Sequence, residues 1–122
     1  MNFRLRTSSQ TADVLKSLQA STRLTPNVLS RLAVSLSLKI EEEPDTELKD
    51  NSGLEFNRNT LTGEFDYVYK ALITQYMQRE VSDEEFFPGL FNAHLERGIT
   101  LLENEYRHAG NADKFFHNIL KI

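Results

Sequence analysis

Thr22-Arg23-Leu24-Thr25-Pro26-Asn27-Val28-Leu29-Ser30-Arg31-Leu32-Ala33 reads as a turn feeding a helix, and the rest of the chain is placed relative to it. Thr25 is a good N-cap. Pro26 stands at the first helical position, where its fixed φ suits the helix and its missing N–H costs nothing, and apolar residues begin at Val28 and Leu29. A helix start presents unpaired backbone N–H groups at the positive end of the helix dipole, which favours phosphate, and Arg23 and Arg31 flank this one. The stretch is either a phosphate grip or only a helix cap.

Downstream, the helix is expected to run from Pro26 to about Ile40. Val28, Leu29, Leu32, Ala33, Leu36 and Ile40 form its buried stripe, widened by Val34 and Leu38, and Asn27, Arg31, Ser35 and Lys39 form a polar stripe. A helix this apolar contacts neighbours on more than one side, so Val28, Leu29, Leu32 and Leu36 are the candidate oligomer interface. Upstream, Asn2-Phe3-Arg4-Leu5-Arg6-Thr7 alternates, with Phe3 and Leu5 on one face and Asn2, Arg4 and Arg6 on the other, the period of a half-buried strand. So short a strand needs a partner, for which the same strand of a second subunit is one choice. Thr7 and Gln10 fit a capping box, and a helix should follow to about Ser21 with Val14, Leu15 and Leu18 as its seam. Lys16 and Arg23 are seven apart, and fall close to the same side if the helix is extended past its end at about Ser21.

Beyond Ile40, Glu41-Glu42-Glu43-Pro44-Asp45 opens an acidic loop reaching to about Gly63, with Leu54 and Phe56 in a short extended piece. Loops this long are usually functional or mobile. Phe65, Val68, Tyr69, Leu72, Ile73 and Tyr76 then mark a helix from Glu64 to about Arg79. Ser82-Asp83-Glu84-Glu85 is a capping box, and Pro88 lies near a helix start. Leu90, Phe91, Leu95, Ile99, Leu102 and Tyr106 describe the next helix, ending by Gly110, and Phe115, Phe116, Ile119 and Leu120 a final amphipathic piece. The fold class expected is mainly α and oligomeric, a short N-terminal strand followed by four or five helices: one domain over residues 1–122, divided into a basic strand-helix-helix part (1–40) with the order of a ribbon-helix-helix unit, an acidic loop (41–63) and a helical remainder (64–122).

The chain has 122 residues and a net charge of −4, which by itself argues against nucleic acid. The charges are nevertheless uneven. Residues 1–39 carry six bases (Arg4, Arg6, Lys16, Arg23, Arg31, Lys39) against Asp13 alone, a net of +5, and residues 40–122 carry eight bases and seventeen acids, a net of −9. Such asymmetry suits a basic binding surface on an acidic body, although chance and solubility also produce charge runs. With no cysteine, thiol chemistry, disulfides and thiolate metal sites are excluded. Nothing approaches a membrane-spanning run, so a cytoplasmic protein is expected.

Catalytic chemistry finds little support. His94, His108 and His117 have no signature linking them to a nucleophile, and the glycines at 53, 63, 89, 98 and 110 form no phosphate loop. Asp113 with His117 on one helix face is an ordinary surface pair, short of the three or four ligands a metal site wants. His94, between Phe91 and Leu95, is expected to be a satisfied, partly buried residue rather than a catalyst, and Glu41, Glu42 and Glu43 a solvated helix end. No catalytic residue, cofactor or metal is assigned. Binding fits better: in strand-helix-helix units paired strands can enter the major groove and a helix start can grip phosphate. The alternative for Arg4 and Arg6 is the exposed face of an edge strand, where bases discourage aggregation.

Three segments carry a family resemblance: Leu24-Thr25-Pro26-Asn27-Val28-Leu29-Ser30-Arg31, Asn57-Arg58-Asn59-Thr60-Leu61-Thr62-Gly63-Glu64-Phe65-Asp66, and Ala93-His94-Leu95-Glu96-Arg97-Gly98-Ile99. In order and spacing the chain resembles the DndE family of bacterial DNA sulfur modification proteins. The resemblance implies a small, helical, tetrameric DNA-binding component of a defence system that replaces a non-bridging phosphate oxygen by sulfur. It also implies binding of double-stranded DNA, including nicked DNA, without catalysis by this chain. The sulfur chemistry would belong to partners: a cysteine desulfurase, an iron–sulfur protein and an ATPase. On that reading Arg4, Arg6, Lys16, Arg23, Arg31 and Lys39 contact DNA phosphates. The rival readings are an adaptor that assembles the modification proteins and, further off, a DNA-nicking enzyme.

Overall fold

A computed structural model describes residues 3–47 and 50–121. Strand β1 (Arg4–Arg6) leads into α1 (Ser9–Thr22) and α2 (Pro26–Ser37); β2 (Glu55–Asn57), α3 (Arg58–Leu61), α4 (Asp66–Met77), α5 (Phe91–Ala109) and α6 (Ala112–Leu120) follow. The expected order of a short strand and then helices holds. Asn2, assigned to the strand's polar face, lies outside the described residues.

β1 finds its partner within the chain. It pairs antiparallel with β2, Arg4 opposite Asn57, Leu5 opposite Phe56 and Arg6 opposite Glu55, so a second subunit is not what completes this ladder. The end of the acidic loop comes back to form the pair, extended by Thr7 N–H to the Leu54 carbonyl (2.9 Å) and Gly53 N–H to the Thr7 carbonyl (2.8 Å). Gly53 is required there, because a Cβ would stand 2.1 Å from the Ser8 carbonyl oxygen. Leu5 and Phe56 enter the core while their neighbours face outward.

The caps bound the helices. Ser8, one residue later than the expected Thr7, caps α1 by accepting from Thr11 N–H, while Thr7 is buried and serves the Leu54 backbone. Arg23 closes α1 in the left-handed region at φ 65°. Thr25 and Pro26 start α2 as expected, but α2 ends at Ser37, three residues short of Ile40. Ser82 and Glu85 form a reciprocal capping box, Glu85 N–H to Ser82 Oγ at 3.1 Å and Ser82 N–H to Glu85 Oε1 at 3.5 Å. From Glu85 to Leu90 a wide helical turn, broken by extended backbone at Phe87, feeds α5, which Gly110 closes at φ 84°.

Helices α2 and α5 make the central pair. Gly98 lies so close to α2 that a Cβ would stand 1.8 Å from the Ala33 carbonyl oxygen. The small residues Ser30, Ala33 and Ser37, with Leu29 and Val34, are therefore the buried side of α2. The expected stripe is rotated: Leu29 and Ala33 belong to the core, whereas Val28, Leu32, Leu36 and Ile40 are only partly buried. Around this pair Phe91 packs against Tyr69, Phe86 and Phe87, with ring centroids 5.7, 6.1 and 5.8 Å away.

Candidate nucleic-acid interface

Six bases were expected to meet phosphate, and their surroundings differ. Lys16 and Arg23 lie exposed on α1 and its cap, and among the described residues neither has an ion-pair partner. Arg4 and Arg6 are exposed on β1 and share Glu55, at 2.7 and 3.1 Å. Arg31 is tied into the fold: its Nη1 donates to the Leu61 carbonyl at 2.8 Å and its guanidinium lies 5.7 Å from the centre of the Phe65 ring. Lys39 lies exposed beyond α2, beside Glu41 and Glu43 in a shallow depression also lined by Gln75 and Tyr76. The six therefore differ in how far each is already engaged within the chain.

The stretch from Thr22 to Ala33 acts first as a cap. Thr25 Oγ1 accepts from Val28 N–H at 3.4 Å, Pro26 has no N–H, and Leu29 N–H donates to the Thr25 carbonyl at 3.0 Å. The start of α1 is already held by carboxylates, Glu96 accepting from Ser8 N–H at 3.0 Å and Asp50 from Ser9 N–H at 2.9 Å. Hydrogen bonds from Ser52 and Ser9 hold the Asp50 carboxyl well below the usual carboxylate range.

Two polar clusters are not evident from the sequence, although Arg58 and Asp66 of one and His94 and Arg97 of the other lie in the segments that carry the family resemblance. Arg58 is nearly buried and clamps two carboxylates. Its Nε and Nη2 donate to Asp66 at 2.9 Å each, and its Nη1 and Nη2 to Asp83 at 2.9 and 2.8 Å. Its guanidinium lies 5.2 Å from the ring centres of both Phe86 and Phe87. Arg58 holds both carboxyls below their ordinary value. The second cluster closes the end of α2. Arg97 donates from Nε to Ser37 Oγ (2.8 Å), from Nη2 to the Ser37 carbonyl (2.9 Å) and from Nη1 to the Glu42 carbonyl, and the Tyr76 hydroxyl reaches the Ile40 carbonyl at 2.7 Å. Ser37 Oγ, which accepts from Arg97 Nε, also shares a hydrogen bond with His94 Nδ1 at 2.9 Å. Burial, and then the charge of Arg97, push His94 down to about 4. His94 is a neutral core residue, with Nε2 buried and without a hydrogen-bond partner.

Among the described residues no group of three or more His, Asp or Glu converges as a metal site, and no helix is long and apolar enough to cross a membrane. Asp113 and His117 lie exposed on α6. Of the four interface candidates, Leu29 is fully buried in its own chain and unavailable to a second. Val28 and Leu32 line a shallow groove with Phe65, Val68 and Leu72 of the α4 side, and Leu32 and Leu36 line a second with Ile119 of α6.

Comparison with known proteins matches residues 4–121 to the family described as DNA sulphur modification protein DndE. No curated protein matches. The structure is similar to the crystal structure of DndE from Escherichia coli B7A involved in DNA phosphorothioation modification, at TM-score 0.66 and 27% identity over 81% of this chain and 96% of that one. It is similar also to a DndE mutant with two glycines replaced by lysine, involved in DNA phosphorothioation, at TM-score 0.65 and 27% identity over 85% and 99% of the two chains. With the family model spanning all but the ends, the chain belongs to the DndE family of DNA phosphorothioation modification.

Proposed function

We propose that this chain is the non-catalytic DNA-binding component of a phosphorothioate modification system, holding double-stranded, including nicked, DNA by its phosphates. The observation that carries the reading is the pair Lys16 and Arg23: exposed on α1 and at its C-terminal cap, and without an acid to neutralise them among the described residues. Cations of this kind meet phosphate without reading sequence, and each phosphate neutralised steepens the salt dependence. Arg4 and Arg6 add to the surface, and Arg31 contributes less because Leu61 already occupies one arm of its guanidinium.

Several copies would join such surfaces. The grooves lined by Val28, Leu32, Leu36, Phe65, Val68 and Leu72 supply an apolar face suited to self-association, with Phe65 46%, Val68 50% and Leu72 41% exposed. A homotetramer is the assembly proposed, working in the cytoplasm with the other modification proteins in defence against foreign DNA. The exposed acids at Glu41, Glu42, Glu43, Asp45 and Glu47 favour a second, adaptor role toward basic surfaces of those partners. A mobility-shift comparison of intact, nicked and single-stranded DNA at two salt concentrations tests the main reading. Retention of duplex that weakens steeply with salt is expected, and no retention of any duplex at low salt, with co-purification of the modification proteins, would replace it by the adaptor role.

A further inference from the structure

The outward face of the β1–β2 ribbon carries its own counterion. Register and strand period turn Arg4, Arg6, Glu55 and Asn57 to the solvent side while Leu5 and Phe56 turn inward. Glu55 serves both arginines at once: Oε2 accepts from Arg4 Nη1 at 2.7 Å, and Oε1 lies 3.1 Å from Arg6 Nη2. The two oxygens of one carboxylate thus bridge two guanidinium groups, and the two non-bridging oxygens of a phosphodiester present the same pair of acceptors. The arginine side chains are 65% and 54% exposed and Glu55 35%, so water screens these pairs and they are weakly held.

We propose that Glu55 is a displaceable counterion for Arg4 and Arg6, whose place a backbone phosphate of bound duplex takes. The inference rests on the DNA-binding reading above and deepens it, since Glu55 then sets how tightly, and up to what salt concentration, the ribbon engages. In the free protein the carboxylate keeps two strand arginines aligned side by side. On binding, phosphate competes with a tethered carboxylate, which lowers affinity for every duplex and makes the ribbon contribute only where Lys16 and Arg23 have already brought the backbone close. A permanent structural pair would behave differently, because the two arginines would then add nothing to binding while Glu55 is in place, and their removal beside an intact Glu55 would not lower the salt dependence.

The test uses the full chain and a labelled nicked duplex, with anisotropy titrations at about 50 mM and about 200 mM salt. Glu55→Gln keeps the side-chain shape and removes the charge. It is expected to tighten binding about threefold to tenfold at the lower salt and to steepen the slope of log affinity against log salt by about one to two. Adding Arg4→Gln and Arg6→Gln to Glu55→Gln should abolish the gain, whereas the same arginine changes beside an intact Glu55 should weaken binding less. An unchanged affinity in Glu55→Gln, or a gain that survives loss of both arginines, would overturn the proposal. Should the glutamine variant fold poorly by circular dichroism, Glu55→Thr, with a good strand former, carries the same expectation. If the wild-type chain holds no duplex, the DNA-binding reading itself fails, an outcome visible before any variant is measured.

Discussion

Arg58 stands between Asp66 and Asp83 with nearly all its hydrogen-bonding capacity used, so its removal leaves two carboxylates facing an unfilled space. Breaking a pair on one side in this way costs about 3–5 kcal/mol where burial is deep. Because the acids are partly exposed, Arg58→Ala is expected to cost roughly 2–3 kcal/mol in urea unfolding, and Arg58→Lys, which cannot reproduce the bidentate geometry, somewhat less. The folded carboxyls lie below their unfolded value of 3.8, so they contribute stability above about that pH that is lost as pH falls through their lower folded values. In Arg58→Ala this acid sensitivity should shrink, which urea midpoints at successive pH values will show. His94 acts at a higher pH. As a base with a folded value of about 4 against 6.5 unfolded, it leaves stability untouched above about 6.5 and withdraws it as pH falls toward 4. The ring resonances of His94 should stay neutral to below pH 5 in a titration followed by NMR, and a midpoint near 6.5 would contradict the buried, Arg97-facing site.

At the scale of elements, several caps are legible in the sequence, the cap of α1 to within one residue, and the partners are not. Thr25 with Pro26, Ser82 with Glu85, and Gly110 announce helix ends because capping is local chemistry, contained in four consecutive residues. The partner of β1 lies about fifty residues away in a segment dominated by acids and turns, and nothing in Arg4-Leu5-Arg6 specifies it. The buried side of α2 differs from its hydrophobic stripe for a related reason. Ser30, Ala33 and Ser37 do not register as hydrophobic, yet their small size admits Gly98 and so decides which way the helix faces. Gly98→Ala should therefore push α5 from α2 and cost roughly 3 kcal/mol, read as a lowered Tm, and a variant as stable as wild type would contradict the close approach. For the candidate site, sequence located the bases but not their company, since Arg4 with Glu55 and Arg31 with Leu61 are contacts made only by folding.

The molecule as a whole joins a basic first third to an acidic remainder and leaves an apolar face on α2, α4 and α6. If that face builds the assembly, Leu32→Asp with Val68→Asp should shift light-scattering mass toward the monomer at micromolar concentration without loss of helicity, because both side chains stand at the groove surface rather than in the core. DNA affinity should fall with the assembly, since fewer cations then face one duplex. The most direct measurement of the central claim is retention of a nicked duplex at low salt by the double charge reversal Lys16→Glu with Arg23→Glu, compared with wild type. At least about a tenfold loss of affinity and a shallower salt dependence are expected, and retention equal to wild type would contradict phosphate contact by these two cations.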